Sequence, residues 1–206
     1  MFHNYFRLFV MFSLTVILGV TTKEMNLHKV FVYGTLKRNE PNHSWFAKNA
    51  EGYYKYIGDA KTVEKLPLII ATKYNVPFIL KSPGNGTNII GEVYEVDDKV
   101  FADLDILEEY PDFYIREQFD VTLVNGGSSV KVWIYVIPNF NPKLLNETCY
   151  ESYSNSGSHG KRYDPSYLRV NDGGTNSLDL STDQMLTTLI CRSNALTTEY
   201  VHNQYC

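Results

Sequence analysis

Two short segments of this chain carry residue types that could do chemistry. The first, residues 29–37, is an apolar strand, Lys-Val-Phe-Val-Tyr, that runs directly into the turn Gly-Thr-Leu-Lys. Gly34 lets a ligand come close to the backbone, and successive N–H groups in such a turn can bind an anion. The same pattern also fits an ordinary tight turn without a ligand. Residues 33–36 are therefore a candidate binding loop.

The second segment, residues 104–111, offers a carboxylate about seventy residues further along the chain, in the run Leu-Asp-Ile-Leu-Glu-Glu-Tyr-Pro. In a helix, Phe101, Leu104 and Glu108 share one face at i, i+3 and i+7. Glu109 lies one step round, toward the polar side. Partial burial would raise the pKa of Glu108 and suit it to general acid–base catalysis. The alternative is a glutamate at the helix end that bends out to solvent.

Several other kinds of site are excluded by the sequence. It contains no G-x-S-x-G, H-E-x-x-H or P-loop motif, so the familiar serine, zinc-protease and nucleotide-binding sites are missing. The formal net charge is −4 and no basic stripe occurs, which argues against nucleic-acid binding. No C-x-x-C pair occurs either, and we therefore predict no metal site.

The elements that must position these segments are mostly short strands. Asp97 can cap a helix that Pro111 ends, and Asn125-Gly126-Gly127 is a strong hairpin signal. Strands are predicted at 30–33, 53–62, 66–70 (a sheet edge, because it contains a proline), 78–80, 89–96, 119–124 and 130–136, and helices at 42–50 and 98–109. The expected fold class is α+β, with a curled or barrel-like mixed sheet and flanking helices.

Both ends of the chain differ in character from this central part. Arg7 precedes a 13-residue apolar run at 8–20, shorter than the about 20 residues that cross a bilayer. We interpret residues 1–21 as a signal peptide, with an uncleaved anchor as the alternative, and we expect secretion and no membrane partner after cleavage. Residues 22–170 form the predicted domain, and 171–206 a polar tail without a core of its own. The odd set Cys149, Cys191 and Cys206 fits one disulfide and one free thiol.

The order of motifs resembles the γ-glutamylcyclotransferase family, and within it the γ-glutamylaminecyclotransferase branch. The opening Val-Tyr-Gly-Thr-Leu-Lys-Arg at 32–38, followed by Pro-Asn-His at 41–43, looks like the start of that branch. The run Tyr-Ser-Asn-Ser-Gly-Ser-His-Gly-Lys-Arg-Tyr-Asp-Pro at 153–165 looks like its distinctive end. Between them the similar segments are 67–70, 75–78, 91–97 and 104–116. The resemblance covers about residues 29–166.

The resemblance implies an enzyme that converts L-γ-glutamylamines, such as γ-glutamyl-ε-lysine, to 5-oxoproline and a free amine. Glu108 matches the family's catalytic acid/base, and Tyr33, Gly34, Thr35 and Leu36 match the loop that holds the glutamyl group. Such an enzyme uses no cofactor and no protein nucleophile, and we expect a monomer. The alternatives are a cyclotransferase for glutathione or γ-glutamyl-amino acids, and a secreted, non-catalytic binding module on the same fold.

Secretion predicts a specific pattern of glycosylation. Sequons begin at Asn42, Asn85 and Asn146. We expect glycans on Asn85 and Asn146, which lie in turn or loop sequence, and none on Asn42, which lies beside the candidate site. Expression in a secretory host, deglycosidase treatment and peptide mass analysis measure this. Retention of residues 1–19 on an unmodified cytosolic protein would contradict it.

Overall fold

The computed structural model of this chain describes residues 25–127 and 129–166. The predicted signal peptide and the predicted tail lie outside the described residues, and so do Cys191 and Cys206, the candidate disulfide partners of Cys149. These predictions therefore stay predictions. No helix in the described part of the chain has the length and apolar character needed to cross a membrane.

Five strands close into a barrel, which confirms the predicted α+β class with a barrel-like mixed sheet. The strands are β1 Leu27–Val32, β2 Tyr54–Thr62, β3 Leu68–Ala71, β4 Val76–Ile79, β5 Ile90–Asp97, β6 Ile115–Leu123 and β7 Ser129–Val136. The barrel order is β1-β5-β2-β6-β7, and β7 pairs with β1 in parallel, with Val30 opposite Trp133. Strands β3 and β4 form a separate antiparallel pair.

Helix α1, Asp98–Leu107, follows β5 directly. Asp97 caps it as predicted, since its side chain accepts a hydrogen bond of 2.9 Å from the Val100 N–H. Phe101 and Leu104 are buried, so the predicted apolar face does face the core. The helix ends two residues earlier than predicted, because Glu109 takes a left-handed backbone conformation with a φ of 50°.

Two other boundaries differ from the prediction. The helix predicted at 42–50 is a 3-10 turn, His43–Ala47. Asn42 does not cap it, because its side chain donates to Thr35 instead. Strand β6 begins at Ile115, four residues before the predicted start. Its first four residues are half-buried or exposed, so they lack the apolar alternation that marks a strand.

The predicted hairpin between β6 and β7 is confirmed. The two strands pair antiparallel from Ile115 opposite Val136 to Thr122 opposite Ser129. The turn needs glycine, since Gly126 and Gly127 have φ values of 125° and 63°.

Side chains from the two faces of the barrel wall form two hydrophobic clusters. One fills the barrel and takes residues from all five of its strands, together with Tyr153 from the segment after β7. The other lies outside the wall, where α1, the 3-10 turn and β4 pack. This outer cluster contains Val30, Val32, Leu36, Phe46, Val76, Tyr94, Leu104, Tyr114, Tyr135 and Tyr163, among others.

The three sequons differ in exposure. Asn42 is 8% exposed, so its folded environment has no room for a glycan. Asn85 and Asn146 are exposed. The burial of Asn42 supports the glycosylation pattern predicted above.

Candidate active site

The structure brings all five predicted site residues to one cavity. The donor loop, residues 33–36, follows β1 and lines this cavity, and Glu108, directly after α1, lines it too. Sequence reasoning did not assign the remaining wall residues to the site: Phe31, Val32, Val76, Pro77, Tyr114 and Tyr135. Only their apolar, strand-like sequence marks them, and that signal is the same for any core residue.

The donor loop presents unused backbone donors. The Lys37 N–H closes the turn on the Gly34 carbonyl at 3.2 Å. Within residues 25–127 and 129–166, the N–H groups of Thr35 and Leu36 have no acceptor. Two adjacent free N–H groups at a cavity can bind a carboxylate or a developing oxyanion.

Gly34 is required by packing rather than by an unusual backbone angle. A Cβ on residue 34 would lie 2.7 Å from the Pro77 Cγ, closer than real Cβ atoms come to a neighbour. Glycine at position 34 therefore has two reasons: it leaves room for a ligand beside the backbone, as expected from the sequence, and it leaves room for Pro77. Pro77 of β4 lies against the loop and fixes its position.

Asn42 holds Thr35 through two hydrogen bonds. Its Nδ2 donates to the Thr35 Oγ1 at 3.0 Å, and its backbone N–H donates to the Thr35 carbonyl at 2.9 Å. Because Oγ1 accepts from Asn42, the hydroxyl hydrogen of Thr35 points elsewhere. His43 holds the next residue, since its Nδ1 lies 2.9 Å from the Leu36 carbonyl, which can only accept. His43 is thus an anchor of the donor loop.

A buried carboxylate, Glu92 of β5, anchors the residue just beyond the loop. Its Oε2 accepts from the Arg38 N–H at 3.0 Å and from the Tyr94 hydroxyl at 2.7 Å, and its Oε1 accepts from the Arg38 Nε at 3.1 Å. The Arg38 guanidinium also donates to Tyr56 and Asp59. Sequence reasoning missed this network. The only sign of this network in the sequence is Glu92 itself, a glutamate within a largely apolar strand.

Tyr33 supports the site rather than offering its hydroxyl to it. That hydroxyl donates to the Tyr135 carbonyl at 3.0 Å and accepts from the Ile79 N–H at 3.4 Å. Burial raises the pKa of Tyr33 well above its ordinary value, and the nearby charge of Glu108 adds to the shift. The side chain therefore joins β1, β4 and β7 where the donor loop begins.

Glu108 is the acidic group of the cavity. Its N–H closes the last turn of α1 on the Leu104 carbonyl at 3.0 Å. Burial of the carboxyl group raises the pKa of Glu108 to about 8, and the charge of Glu109 acts in the same direction. The partial negative charge at the C-terminal end of α1 also disfavours the carboxylate. Glu109 is exposed, so the predicted choice between the two glutamates agrees with their placement.

The last turn of α1 is fixed by Asp105. The Tyr135 hydroxyl donates to its Oδ1 at 2.7 Å, which ties the helix to β7. The Arg116 Nη1 lies 3.3 Å from its Oδ2, and the same guanidinium stacks over the Phe101 ring at 4.0 Å. Glu108 follows three residues later, so these contacts set the position of its carboxyl group.

The described residues contain no group of three or more His, Cys, Asp or Glu side chains arranged to hold a metal ion. What the cavity offers is one carboxyl group with a pKa near neutrality and a pair of free N–H donors. This arrangement can move a proton and stabilise negative charge on an oxygen atom.

This chain is similar in sequence to a known protein family and to named relatives. A family model described as Gamma-glutamyl cyclotransferase, AIG2-like matches residues 30–155, which include the donor loop and Glu108. A Drosophila melanogaster protein provisionally named gamma-glutamylcyclotransferase CG2811 is 48% identical over 128 residues, 62% of this chain and 81% of that protein. Gamma-glutamylaminecyclotransferase C of Danio rerio is 40% identical over 143 residues, 68% of this chain and 94% of that protein.

A solved structure extends the similarity to three dimensions. The crystal structure of an AIG2-like protein from Mus musculus superposes with a TM-score of 0.65 at 38% sequence identity. The match covers 68% of this chain and 97% of the mouse chain. The resemblance inferred from sequence motifs is thereby confirmed, for both the family and the fold.

The raised pKa of Glu108 predicts a pH-dependent cost to stability. In the folded state the Glu108 carboxyl group keeps its proton up to about pH 8, whereas an ordinary glutamate carboxyl group releases its proton near pH 4.5. Between these values the folded protein binds more protons than the unfolded one, so the free energy of unfolding falls as pH rises. At 1.36 kcal/mol per pKa unit, the upper bound of the loss is about 5 kcal/mol.

Glu108→Gln removes this titration and should therefore be more stable than the unchanged protein above pH 8, with little difference near pH 5. Urea unfolding at both pH values measures the effect. Equal free energies of unfolding at pH 8.5 would show that Glu108 ionises normally.

Proposed function

This chain belongs to the AIG2-like γ-glutamyl cyclotransferase family, and we propose that it converts L-γ-glutamylamines, such as γ-glutamyl-ε-lysine, to 5-oxoproline and a free amine. The observation that carries the proposal is the cavity that Glu108 and the donor loop line together. The relative from Danio rerio, which this chain covers over 94% of its length, is named for the amine reaction.

The reaction needs no nucleophile from the protein. The α-amine of the substrate attacks its own γ-carbonyl carbon, a C–N bond closes the five-membered lactam, and the bond to the leaving amine breaks. The enzyme must fold the glutamyl group so that amine and carbonyl meet. Such orientation can supply up to about 7–11 kcal/mol of the barrier, and the tightly packed walls around Leu36, Val76 and Tyr114 suit that task.

Glu108 can carry out both proton transfers. The substrate α-ammonium must lose a proton before it attacks. Burial raises the pKa of Glu108 to about 8, so its carboxylate is a stronger base than an ordinary glutamate and can accept this proton. The carboxyl group that has taken the proton then donates it to the nitrogen of the leaving amine. One residue thus acts first as base and then as acid.

The donor loop provides the electrostatic part of the mechanism. The N–H groups of Thr35 and Leu36 have no acceptor among the described residues, so they are available to oxygen atoms of the glutamyl group. Donors already held in place need no rearrangement when charge develops on the carbonyl oxygen. Pro77, Asn42 and Glu92 keep the loop in this shape.

We also propose that the enzyme acts outside the cell. The support is the sequence at 7–20, a positive residue followed by an apolar run, together with the exposure of the sequons at Asn85 and Asn146. An extracellular site would give access to γ-glutamyl-ε-lysine released when cross-linked proteins are degraded.

A second candidate substrate class is glutathione and other γ-glutamyl-amino acids, and the name of the relative from Drosophila melanogaster fits this broader activity. We predict that the protein releases 5-oxoproline from γ-glutamyl-ε-lysine and not from glutathione, because residues 153–165 match the amine branch. Assay of 5-oxoproline from both compounds measures this. Turnover of glutathione alone would support the second candidate, and no turnover of either would support a binding module.

Glu108→Gln should lower kcat by about 10²–10⁴-fold, toward the upper end because the residue serves two proton transfers. Glutamine is nearly isosteric, so packing against Leu104 is kept, but the amide cannot accept the α-ammonium proton. The measurement is steady-state turnover of γ-glutamyl-ε-lysine.

Glu109→Gln is the matched control, since it changes the net charge by the same amount one residue away. It should retain activity near that of the unchanged protein. An inactive Glu109 variant beside an active Glu108 variant would reverse the assignment, and two active variants would exclude the acid–base mechanism.

A further inference from the structure

Tyr163 carries a buried hydroxyl group that the mechanism above does not use. The residue is 6% exposed, and its hydroxyl has no hydrogen-bond partner of normal geometry among the described residues. A buried hydroxyl left unpaired costs about 1–3 kcal/mol, so most buried polar groups have partners. Tyr163 also lies beyond residue 155, where the match to the family model ends.

Three hydrogen bonds hold the backbone around Tyr163. Its own N–H donates to the Asn155 Oδ1 at 2.7 Å. The Asn75 Nδ2 donates to the carbonyl of residue 162 at 2.8 Å, and the N–H of residue 164 donates to the carbonyl of residue 74 at 2.9 Å. The hydroxyl is therefore positioned by a fixed segment and not by a free chain end.

This segment lies next to the candidate active site. The Tyr163 ring belongs to the same hydrophobic cluster as Leu36, Val76 and Tyr114, and all three line the cavity. Burial raises the pKa of Tyr163, a hydrogen bond from the Asn42 side chain to the phenol oxygen opposes the shift, and the nearby charge of Glu108 adds to it. The hydroxyl oxygen thus lies close to Asn42, the residue that holds Thr35, and its hydrogen remains available to a substrate.

The proposed substrate brings a charge for which the cavity has no cation. Every γ-glutamylamine has an α-carboxylate, yet the lining residues of the described cavity include no lysine, arginine or histidine. Neutral donors are therefore the groups at the cavity that can hold the carboxylate. The N–H groups of the donor loop are two of them, and the Thr35 hydroxyl, whose oxygen accepts from Asn42, still has its hydrogen to donate. The Tyr163 hydroxyl, which donates to no described residue, is a further donor beside the cavity.

We propose that the Tyr163 hydroxyl donates a hydrogen bond to the α-carboxylate of the γ-glutamyl substrate, and so selects for the intact glutamyl group. This inference rests on the proposed function. It makes the segment after β7 part of the binding site and not only a support for the fold.

The test compares 5-oxoproline, which keeps the α-carboxylate, with 2-pyrrolidinone, the same ring without it. Dissociation constants are measured by NMR titration of the full chain and of Tyr163→Phe. We expect the variant to bind 5-oxoproline about 10- to 100-fold more weakly, the usual loss for a hydrogen bond to a charged group, and to bind 2-pyrrolidinone unchanged. Equal affinity for 5-oxoproline, or equal weakening for both ligands, would overturn the proposal.

Stability and a matched variant separate binding from folding. Phe keeps the ring and deletes a buried hydroxyl that donates to no described residue, so the Tm of Tyr163→Phe should be unchanged or higher. A drop in Tm that parallels the loss of binding would indicate a structural role and overturn the proposal. Tyr150→Phe removes a half-buried hydroxyl elsewhere on the same segment and should bind both ligands normally.

The turnover assay distinguishes a failure of the Tyr163 proposal from a failure of the proposed function. Normal 5-oxoproline release with unchanged ligand binding in Tyr163→Phe would refute the tyrosine's role alone. Absence of turnover in the unchanged protein, with 5-oxoproline binding that depends on Tyr163, would refute the proposed function alone.

Discussion

The shape of the candidate site depends on the ion pair between the buried Glu92 and the more exposed Arg38. The Glu92 side chain is 10% exposed, and a charge so buried is tolerated only with a partner and several hydrogen bonds. Arg38 supplies both its backbone N–H and its guanidinium. Because β5 pairs with both β1 and β2, the anchor stands in the middle of the barrel wall. The donor loop leaves β1 and is held again at Arg38, so its path is set by the barrel itself.

The two glutamates near this loop show how surroundings assign roles to identical side chains. Glu92 has three hydrogen bonds from charged or polar donors, and these hold its side chain in a structural role. Glu108 is half-buried, follows α1 directly and precedes another glutamate, and desolvation of its carboxyl group together with the charge of Glu109 favours its neutral form. An acid–base group must change its protonation state during the reaction, and the absence of strong partners in its cavity is what allows this.

Much of the fold and the centre of the site could be predicted from the sequence because local patterns determine them. The i, i+3, i+7 spacing distinguished Glu108 from Glu109, Asp97 marked the start of α1, and the Asn-Gly-Gly turn set the β6–β7 hairpin. The predicted end of α1 was wrong by two residues, because the left-handed backbone conformation of Glu109 has no clear signal in the sequence.

The supporting residues could not be predicted, because their roles arise from contacts between distant parts of the chain. Glu92 and Arg38 are 54 positions apart, and Tyr33 and the Tyr135 carbonyl are 102 apart. In the sequence, Tyr135 resembles any strand tyrosine, and only the structure shows that its hydroxyl donates a hydrogen bond to Asp105. Tyr163 lies in a polar segment whose motif suggested a family, but only the fold places its ring in the cluster beside the cavity.

The contacts that hold the donor loop come from opposite ends of the domain, and this has a consequence for synthesis. The donor loop emerges among the first residues of the barrel, and every residue that lines the cavity has been added once the chain reaches Tyr135. The Lys37 ammonium group, next to the loop, donates to the carbonyl of Tyr153, which is added later. A ribosome that stalls between these two residues leaves a chain with all the cavity-lining residues but without the contact that holds Lys37. The nascent protein therefore has the residues of its pocket before it has all the contacts that fix the donor loop.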